Sequence, residues 1–312
     1  MNNSLGERTV LVRAPAKVNL VLRVLDRRPD GFHNLWSLMH TVALEDDLHV
    51  RLMAEPAASS PVRLACDDPT LPTDGRNLVR RAAELVLERA AAQSRPPQAV
   101  DIHLTKRIPM GGGLGGGSSD AAATIVALNH LLGLGWSVSE MAKLGESLGS
   151  DVPFFLFAPC ARVRGRGEDV APMTLAGTRW VVLVNPGFPI ETRWAYQCLA
   201  ESRRGVRPLS ASLVKLMGRD RLSWNEVVPL MENDFEGALA PVHPALTAIK
   251  TELLLAGAEG ALLSGSGATV FGIFHEEAAA VRARDLVGRS EGRRAFAAPA
   301  GTGPLTCSES PA

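Results

Sequence analysis

The stretch Pro109-Met-Gly-Gly-Gly-Leu-Gly-Gly-Gly-Ser-Ser119, continued by Asp120-Ala-Ala-Ala-Thr-Ile-Val-Ala-Leu128, decides how the rest of this chain is read. Between Gly111 and Gly117 six of seven residues are glycine, interrupted only by Leu114. With so few side chains, backbone N–H groups can crowd around a ligand. The run leads into an apolar helix expected from about Ser119 to Leu132, whose first N–H groups, near Ser118 and Ser119, lack partners inside the helix. Unpaired donors and the helix dipole both favour negative charge there, so the stretch reads as a phosphate-binding loop. A flexible linker is the alternative, but linkers of this composition rarely join an alternating strand, here Val100 to Lys106, to an apolar helix.

Composition bounds the possibilities. A chain of 312 residues makes one large or two ordinary domains, and 46% apolar with 21% charged residues is a soluble globular balance. The formal net charge of zero argues against a broad nucleic-acid-binding surface. No apolar run approaches the roughly 18 residues of a membrane span, and the start Met1-Asn-Asn-Ser-Leu-Gly-Glu-Arg8 lacks a signal-peptide core. Cys66, Cys160, Cys198 and Cys307 lie far apart with no Cys-x-x-Cys pair, so neither a zinc site nor a disulfide framework is expected and the setting reads as cytoplasmic. The histidines are scattered without helical ligand spacing, leaving Mg2+ brought by a nucleotide as the expected metal.

Three phosphate motifs can be tested against the glycine run. A Walker A loop requires Gly-Lys-Ser/Thr, but Gly117 is followed directly by Ser118. G-x-G-x-x-G is met at Gly111, Gly113 and Gly116, yet Met1 to Thr105 supplies no βαβ opening for it. The protein-kinase set fails for want of V-A-I-K and H-R-D segments. The pattern Pro-x-x-x-Gly-Leu-Gly-x-x-Ser-Ser-x-Ala-Ala instead resembles the phosphate loop of the GHMP kinases, small-molecule kinases named after galactose, homoserine, mevalonate and phosphomevalonate. In its extended form it is similar to the branch that acts on a diphosphocytidyl-linked methylerythritol.

Two further stretches carry that resemblance. Ala14-Pro-Ala-Lys-Val-Asn-Leu20 is similar to the family's first signature, and Leu263-Ser-Gly-Ser-Gly-Ala-Thr-Val-Phe271 to its third, so the likeness spans roughly residues 10 to 275. It implies an α+β fold of two domains, a ribosomal-protein-like N-terminal domain over 1–172 and a ferredoxin-like sandwich over 173–300, with the site in the cleft between them and a frayed tail over 301–312. It implies ATP bound by Pro109, Met110, Gly111, Gly112, Gly113, Leu114, Gly115, Gly116, Gly117, Ser118 and Ser119, with Lys106 assisting. Lys17 and Asp151, the latter in Gly-Ser-Asp-Val-Pro-Phe-Phe, are the implied catalytic pair: Asp151 takes the hydroxyl proton while Lys17 counters charge on the phosphoryl group.

The acceptor end is implied to include Asn19, which shares a strand face with Lys17, and Asp30-Gly-Phe-His33, with Phe32 and Tyr196 sandwiching the base and His33 bonding its edge. The resemblance thus implies small-molecule partners, ATP and a cytidyl-diphosphate-linked polyol, with Mg2+, no nucleic acid and no membrane, and a monomer or weak homodimer. Another kinase of the family, of homoserine or mevalonate type, and a non-catalytic nucleotide-binding relative are the rival readings. Asp-Gly-Phe-His opposes the first, and retention of Lys17 and Asp151 the second. Asp120 departs from the family pattern: beside a phosphate cradle its charge must point away or assist Mg2+, and no second carboxylate for the metal stands out, so its ligands stay unassigned.

Other expectations follow from pattern. Thr9 to Leu25 reads as a strand pair bent at Pro15, Ser37 to Met53 as extended, and Glu55 to Pro72 as a connection. Asn77 to Ala92 repeats apolar residues at helical spacing, Ser137-Val-Ser-Glu140 is a capping box, and Asp151 falls just past the end of that helix. Arg162 to Pro172 reads as a connection and Arg203 to Pro229 as irregular. From Pro244 the order helix–strand–strand–helix is that of an α/β sandwich.

Overall fold

A computed structural model of the chain describes residues 8–53, 60–95, 98–203, 205, 206, 208–216, 218–301 and 303–309. Its spine is a pair of long antiparallel strands, β1 (Thr9–Arg27) and β2 (His33–Met53), joined by the turn at Asp30-Gly31. The strand pair expected from Thr9 to Leu25 is thus one strand. Pro15 does not end it, because the register with β2 shifts between Pro15 and Ala16, where a residue without an N–H is tolerated. A second shift, between Asn19 and Val21, lies beside the residues that will form the site.

The other elements of this half hang on that spine. β3 (Val62–Cys66), α1 (Leu78–Ala92) and β4 (Ala99–Thr105) form a crossover with β3 parallel to β4, and β4 pairs with the C-terminal part of β2. The connection expected over 55–72 therefore contains a strand, whose short alternation of buried Val62 and Leu64 is easily missed, while 54–59 lie outside the described residues. α2 (Gly116–Leu131) begins three residues before the expected Ser119, so the last two glycines belong to its first turn. It is buried nearly all round, and its run of alanines lets α1 and the sheet approach closely. α3 (Val138–Gly145) carries the expected capping box at Ser137 and Glu140, and α4 (Val152–Phe157) follows at once. β5 (Cys160–Gly165) and β6 (Asp169–Pro172) make a hairpin on the N-terminal part of β2, where the sequence reading placed a connection.

The chain then passes through β7 (Thr174–Ala176), β8 (Trp180–Asn185), α5 (Thr192–Ser202), α6 (Ala211–Leu216), β9 (Arg221–Ser223) and α7 (Trp224–Val227), with a 3-10 turn at Val228–Leu230. The region read as irregular from 203 to 229 is thus short elements rather than loop. After β10 (Glu232–Asn233) and α8 (Asp234–Leu239), α9 (Pro244–Leu255), β11 (Gly260–Leu263), β12 (Val270–Phe274), α10 (Glu277–Val287) and β13 (Arg294–Pro299) complete a four-stranded antiparallel sheet in the order β11-β12-β8-β13. The sequence β8-α9-β11-β12-α10-β13 is the ferredoxin-like arrangement. The expected tail is corrected: β14 (Cys307–Glu309) pairs antiparallel with Val10 to Val12 of β1.

Three buried clusters hold these layers. One lies under α1 and α2, and another inside the ferredoxin-like half. The middle one joins Val18, Leu20 and Leu38 of the long strands to Leu183, Phe271 and Ile273 of the second sheet, so apolar burial holds the two halves against each other. Among the described residues no helix is long and apolar enough to cross a membrane.

Candidate active site

The two glycine-rich loops meet backbone to backbone. Lys17 N–H donates to Leu114 O at 2.9 Å, Thr269 N–H to Gly112 O at 3.1 Å, and the Ser264 hydroxyl to Gly113 O at 2.9 Å. Asn233 supports the second loop by donating to the carbonyls of Leu263 and Gly265, each at 2.8 Å. A methyl group on Gly113 would lie 2.1 Å from Ser264 O, and Gly113 has φ +74, so both contact and conformation demand glycine. With these carbonyls taken by protein donors, the N–H groups of Gly116, Gly117 and Ser118 in the first turn of α2 remain without intrahelical partners.

A cavity of about 560 Å³ runs beneath this junction. Pro109 to Ser118 line it, together with Lys106 and Asp120, and so do Lys17, Asn19, Asp151, Thr192, Tyr196 and Phe235.

Lys17 and Asp151, far apart in sequence, lie 3.8 Å apart. The Lys17 side chain is 4% exposed and that of Asp151 34%. Burial lowers the Lys17 ammonium below its ordinary range, against the opposing pull of Asp151. Lys17 Nζ donates to Asn19 Oδ1 at 2.6 Å, Asn19 Nδ2 to Ser37 Oγ at 2.9 Å, and Ser37 Oγ to Val21 O at 2.7 Å. This chain of bonds orients the amide so that its oxygen faces the ammonium. Asn19 is therefore a holder of Lys17, and Ser37, which sequence reasoning missed, is the holder of Asn19. Asp151 lies past the end of α3, as expected, and also at the N-cap of α4, where its carboxylate makes no capping bond. It is left facing the cavity.

Lys106 does not lie free for a phosphate. Its ammonium is shared by Asp46 and by Asp120 at 2.7 Å. Burial works to lower Lys106, but the two carboxylates outweigh it and raise it. Burial pushes Asp120 up to about 7, against the pull of Lys106.

The aromatic end differs from expectation. Tyr196 stacks on His33, with centroids 4.9 Å apart and planes 18° apart, and meets Phe235 edge-on. Phe32 is 53% exposed with the Arg166 guanidinium over its ring at 5.0 Å, so Phe32 and Tyr196 do not form a ready sandwich. The cause is the turn: Gly31 at φ +87 and the Phe32 N–H bond to Asp30 Oδ1 aim the ring outward. His33 lies below its ordinary range, first through burial and then through Arg27 and Arg203. Burial, with Asp151 adding to it, pushes the Tyr196 hydroxyl up to about 12.

Leu71, Pro72, Arg76, Asn77 and Leu78 also line the cavity. Sequence reasoning passed them over as a connection and a helix start. Asn77 gave the available signal: it caps α1 through Val79 N–H at 2.9 Å and ties down Pro72 O at 2.8 Å. Among the described residues no group of three His, Cys, Asp or Glu is placed to hold a metal ion.

Comparison with known proteins identifies the family. The sequence matches the GHMP kinases N terminal domain over residues 77–158 and the GHMP kinases C terminal family over residues 213–292. It is 41% identical to a 4-diphosphocytidyl-2-C-methyl-D-erythritol kinase of Geobacter sulfurreducens over 276 residues, covering 88% of this chain and 94% of that protein. The kinase of the same name from Syntrophotalea carbinolica is 40% identical, with 91% of this chain and 96% of that one covered. A crystal structure of a 4-(cytidine 5'-diphospho)-2C-methyl-D-erythritol kinase is similar at TM-score 0.72 and 37% identity, covering 94% of this chain and 100% of its own. A homoserine kinase from Cytophaga hutchinsonii, at TM-score 0.71 but 21% identity, shares the fold over 96% of this chain and 97% of its own. Identity of this order over nearly the whole length places the chain in a family: it belongs to the 4-diphosphocytidyl-2-C-methyl-D-erythritol kinases, phosphotransferases among the GHMP kinases.

Proposed function

We propose that the chain transfers the γ-phosphate of ATP to the 2-hydroxyl of 4-diphosphocytidyl-2-C-methyl-D-erythritol, a step of non-mevalonate isoprenoid biosynthesis. The observation that carries the chemistry is the Lys17–Asp151 pair at 3.8 Å on the wall of the cavity that the glycine loop also lines. Asp151 accepts the acceptor's hydroxyl proton as that oxygen bonds to the γ-phosphorus. The bond from phosphorus to the β–γ bridging oxygen breaks, and ADP leaves. Lys17, held by Asn19, stabilises negative charge on the transferring group and on Asp151. The partnerless N–H groups of the first turn of α2 receive the donor phosphates.

Mg2+ bound with ATP neutralises phosphate charge and needs only one or two protein oxygens. Asp120 Oδ1 fits that need, being a buried carboxylate oxygen on the cavity wall with no hydrogen-bond partner. At the acceptor end we assign Tyr196 to the base, with His33 turning from its stack to bond the base edge. The same reading keeps the division into an N-terminal 1–172 and a C-terminal 173–300 half and places the enzyme in the cytoplasm.

ADP release measured with a panel of acceptors tests the proposal. The cytidyl acceptor should support turnover and homoserine and mevalonate should not. Turnover with mevalonate but not the cytidyl compound would overturn the acceptor assignment, and silence with every acceptor would favour a non-catalytic relative.

A further inference from the structure

The glycine loop is anchored at both ends to one buried charge cluster. Asp46 of β2, which is fully buried, accepts the N–H groups of Arg107 at 2.5 Å and Ile108 at 2.9 Å on one carboxylate oxygen. Its other oxygen takes the ammonium of Lys106. That ammonium also donates to Asp120 Oδ2 at 2.7 Å. Residues 106–108 are the segment that leads into the loop, and Asp120 stands in the second turn of α2, just after it. The ammonium sits against the last turn of the loop, since a methyl group on Gly116 would lie 3.3 Å from Lys106 Nζ. The side chains of Lys106, Asp46 and Asp120 are only 7%, 0% and 3% exposed.

A buried cluster of two carboxylates and one ammonium is costly to desolvate, and it carries no net positive charge to attract a nucleotide. What it accomplishes is geometric. We infer that Asp46, Lys106 and Asp120 form a staple that holds the start and the end of the nucleotide loop together, and that Lys106 is a positioning residue rather than a phosphate ligand. The inference rests on the reading of the loop as the ATP site. It assigns the set of the loop's N–H groups to a cluster beneath them, held together by Asp46, Lys106 and Asp120 Oδ2 and leaving only Asp120 Oδ1 for the metal. Loss of any member lets the loop's two ends move apart, so the N–H groups no longer converge on one phosphate, while Lys17 and Asp151 keep their own supports at Asn19 and α4.

Three variants test it: Asp46→Ala, Asp120→Asn and Lys106→Met. In protein free of ligand and metal, hydrogen exchange of the amides of residues 107–119 should accelerate at least tenfold in each, while β8 and β12 keep wild-type exchange. In turnover, KM for ATP should rise tenfold or more in Asp46→Ala and Lys106→Met, with kcat and the acceptor KM changing less than threefold; Asp120→Asn, whose residue also faces the metal, is judged by the ligand-free exchange. Lys106→Arg, which restores the charge, should recover most of the loss. Near-isosteric Asp120→Asn carries the test should Lys106→Met fold poorly. Weakened ATP binding in Lys106→Met alone, with both aspartate variants binding ATP as tightly as wild type, would make Lys106 a phosphate ligand and overturn the staple. A loss confined to Asp120→Asn and seen only with Mg2+ present would overturn it in favour of a purely metal role. Wild-type protein that releases no ADP with any acceptor refutes the kinase reading instead, and the ligand-free exchange still decides the staple.

Discussion

Around the glycine loop the cavity wall is largely backbone; around Lys17, Asp151 and Tyr196 it is side chains drawn from separate elements. The donor loop is bonded to the second glycine loop through the carbonyls of Gly112 and Gly113, to β1 through that of Leu114, and held from below by Asp46 and Lys106. The acceptor end assembles Lys17 and Asn19 from β1, Asp151 from α4, and Tyr196 from α5, with His33 of β2 stacked on it. A phosphate carries the same charge and shape in every nucleotide, so a rigid row of N–H groups suffices for it. A nucleobase joined to a polyol must be told from other acceptors, which takes placed side chains.

The largest effect tests whether the two ends meet at Asp151. Asp151→Ala should lower kcat by roughly two to four decades, or about 3–5 kcal/mol, the range for a lost proton acceptor, with little change in ATP affinity. Near-normal turnover in steady-state assays would remove Asp151 from the base role.

Next in size, Gly113→Ala strikes the rigid end. It adds a methyl group 2.1 Å from Ser264 O at a φ of +74. The cost should exceed ~2 kcal/mol of stability, since the left-handed region alone costs about 1–2 for an L residue. A thermal melt matching wild type would show that the interlocked backbones are softer than the distances imply.

Tyr196→Ala should act only at the other end, raising the acceptor KM by roughly tenfold, as stacking on a base contributes about 1–3 kcal/mol. If KM for ATP rose as much as KM for the acceptor, the division into two ends would be wrong.

The smallest effect is a pH dependence. His33 lies below 6.5, so its neutral ring persists to lower pH than an ordinary histidine. Protonation then comes only as pH falls through that lowered value. The acceptor KM should therefore be flat from pH 8 to 6.5 and rise only at lower pH, with the rise abolished in His33→Gln. A break above 6.5 that depends on His33 would contradict the direction of the shift.

Legibility in the sequence followed the same division. Pro109 to Ser118, Lys17 and Asp151 could be singled out in the sequence because their residue types follow a local pattern, and the structure gathers them around one cavity. Besides the short elements between 203 and 229, the sequence reading passed over β3, β5 and β6, short strands whose alternation spans only a few residues and whose pairing with β4 and β2 is long-range. β14 was missed for a related reason, since its three residues carry no pattern of their own and are ordered by β1. Phe32 and Lys106 had the right residue types for their expected roles, but a turn aims the first outward and two buried carboxylates occupy the second. Ser37 and Asp46 carried no local signal, because each acts through a partner far away in the chain.

What the sequence determined by itself was the chemistry on offer: a loop too poor in side chains to be anything but a backbone cradle, an apolar helix behind it, and the family to which those letters belong. Only the tertiary structure decided which groups stand together. Lys17 and Asp151 lie 3.8 Å apart because the bulged β1 and the N-terminus of α4 meet at the cavity wall, and the Lys106 ammonium is shared by two carboxylates because β2 and α2 bring one to each side of it. Distances between residues remote in the chain are set by the burial that packs the elements, and no local pattern encodes them.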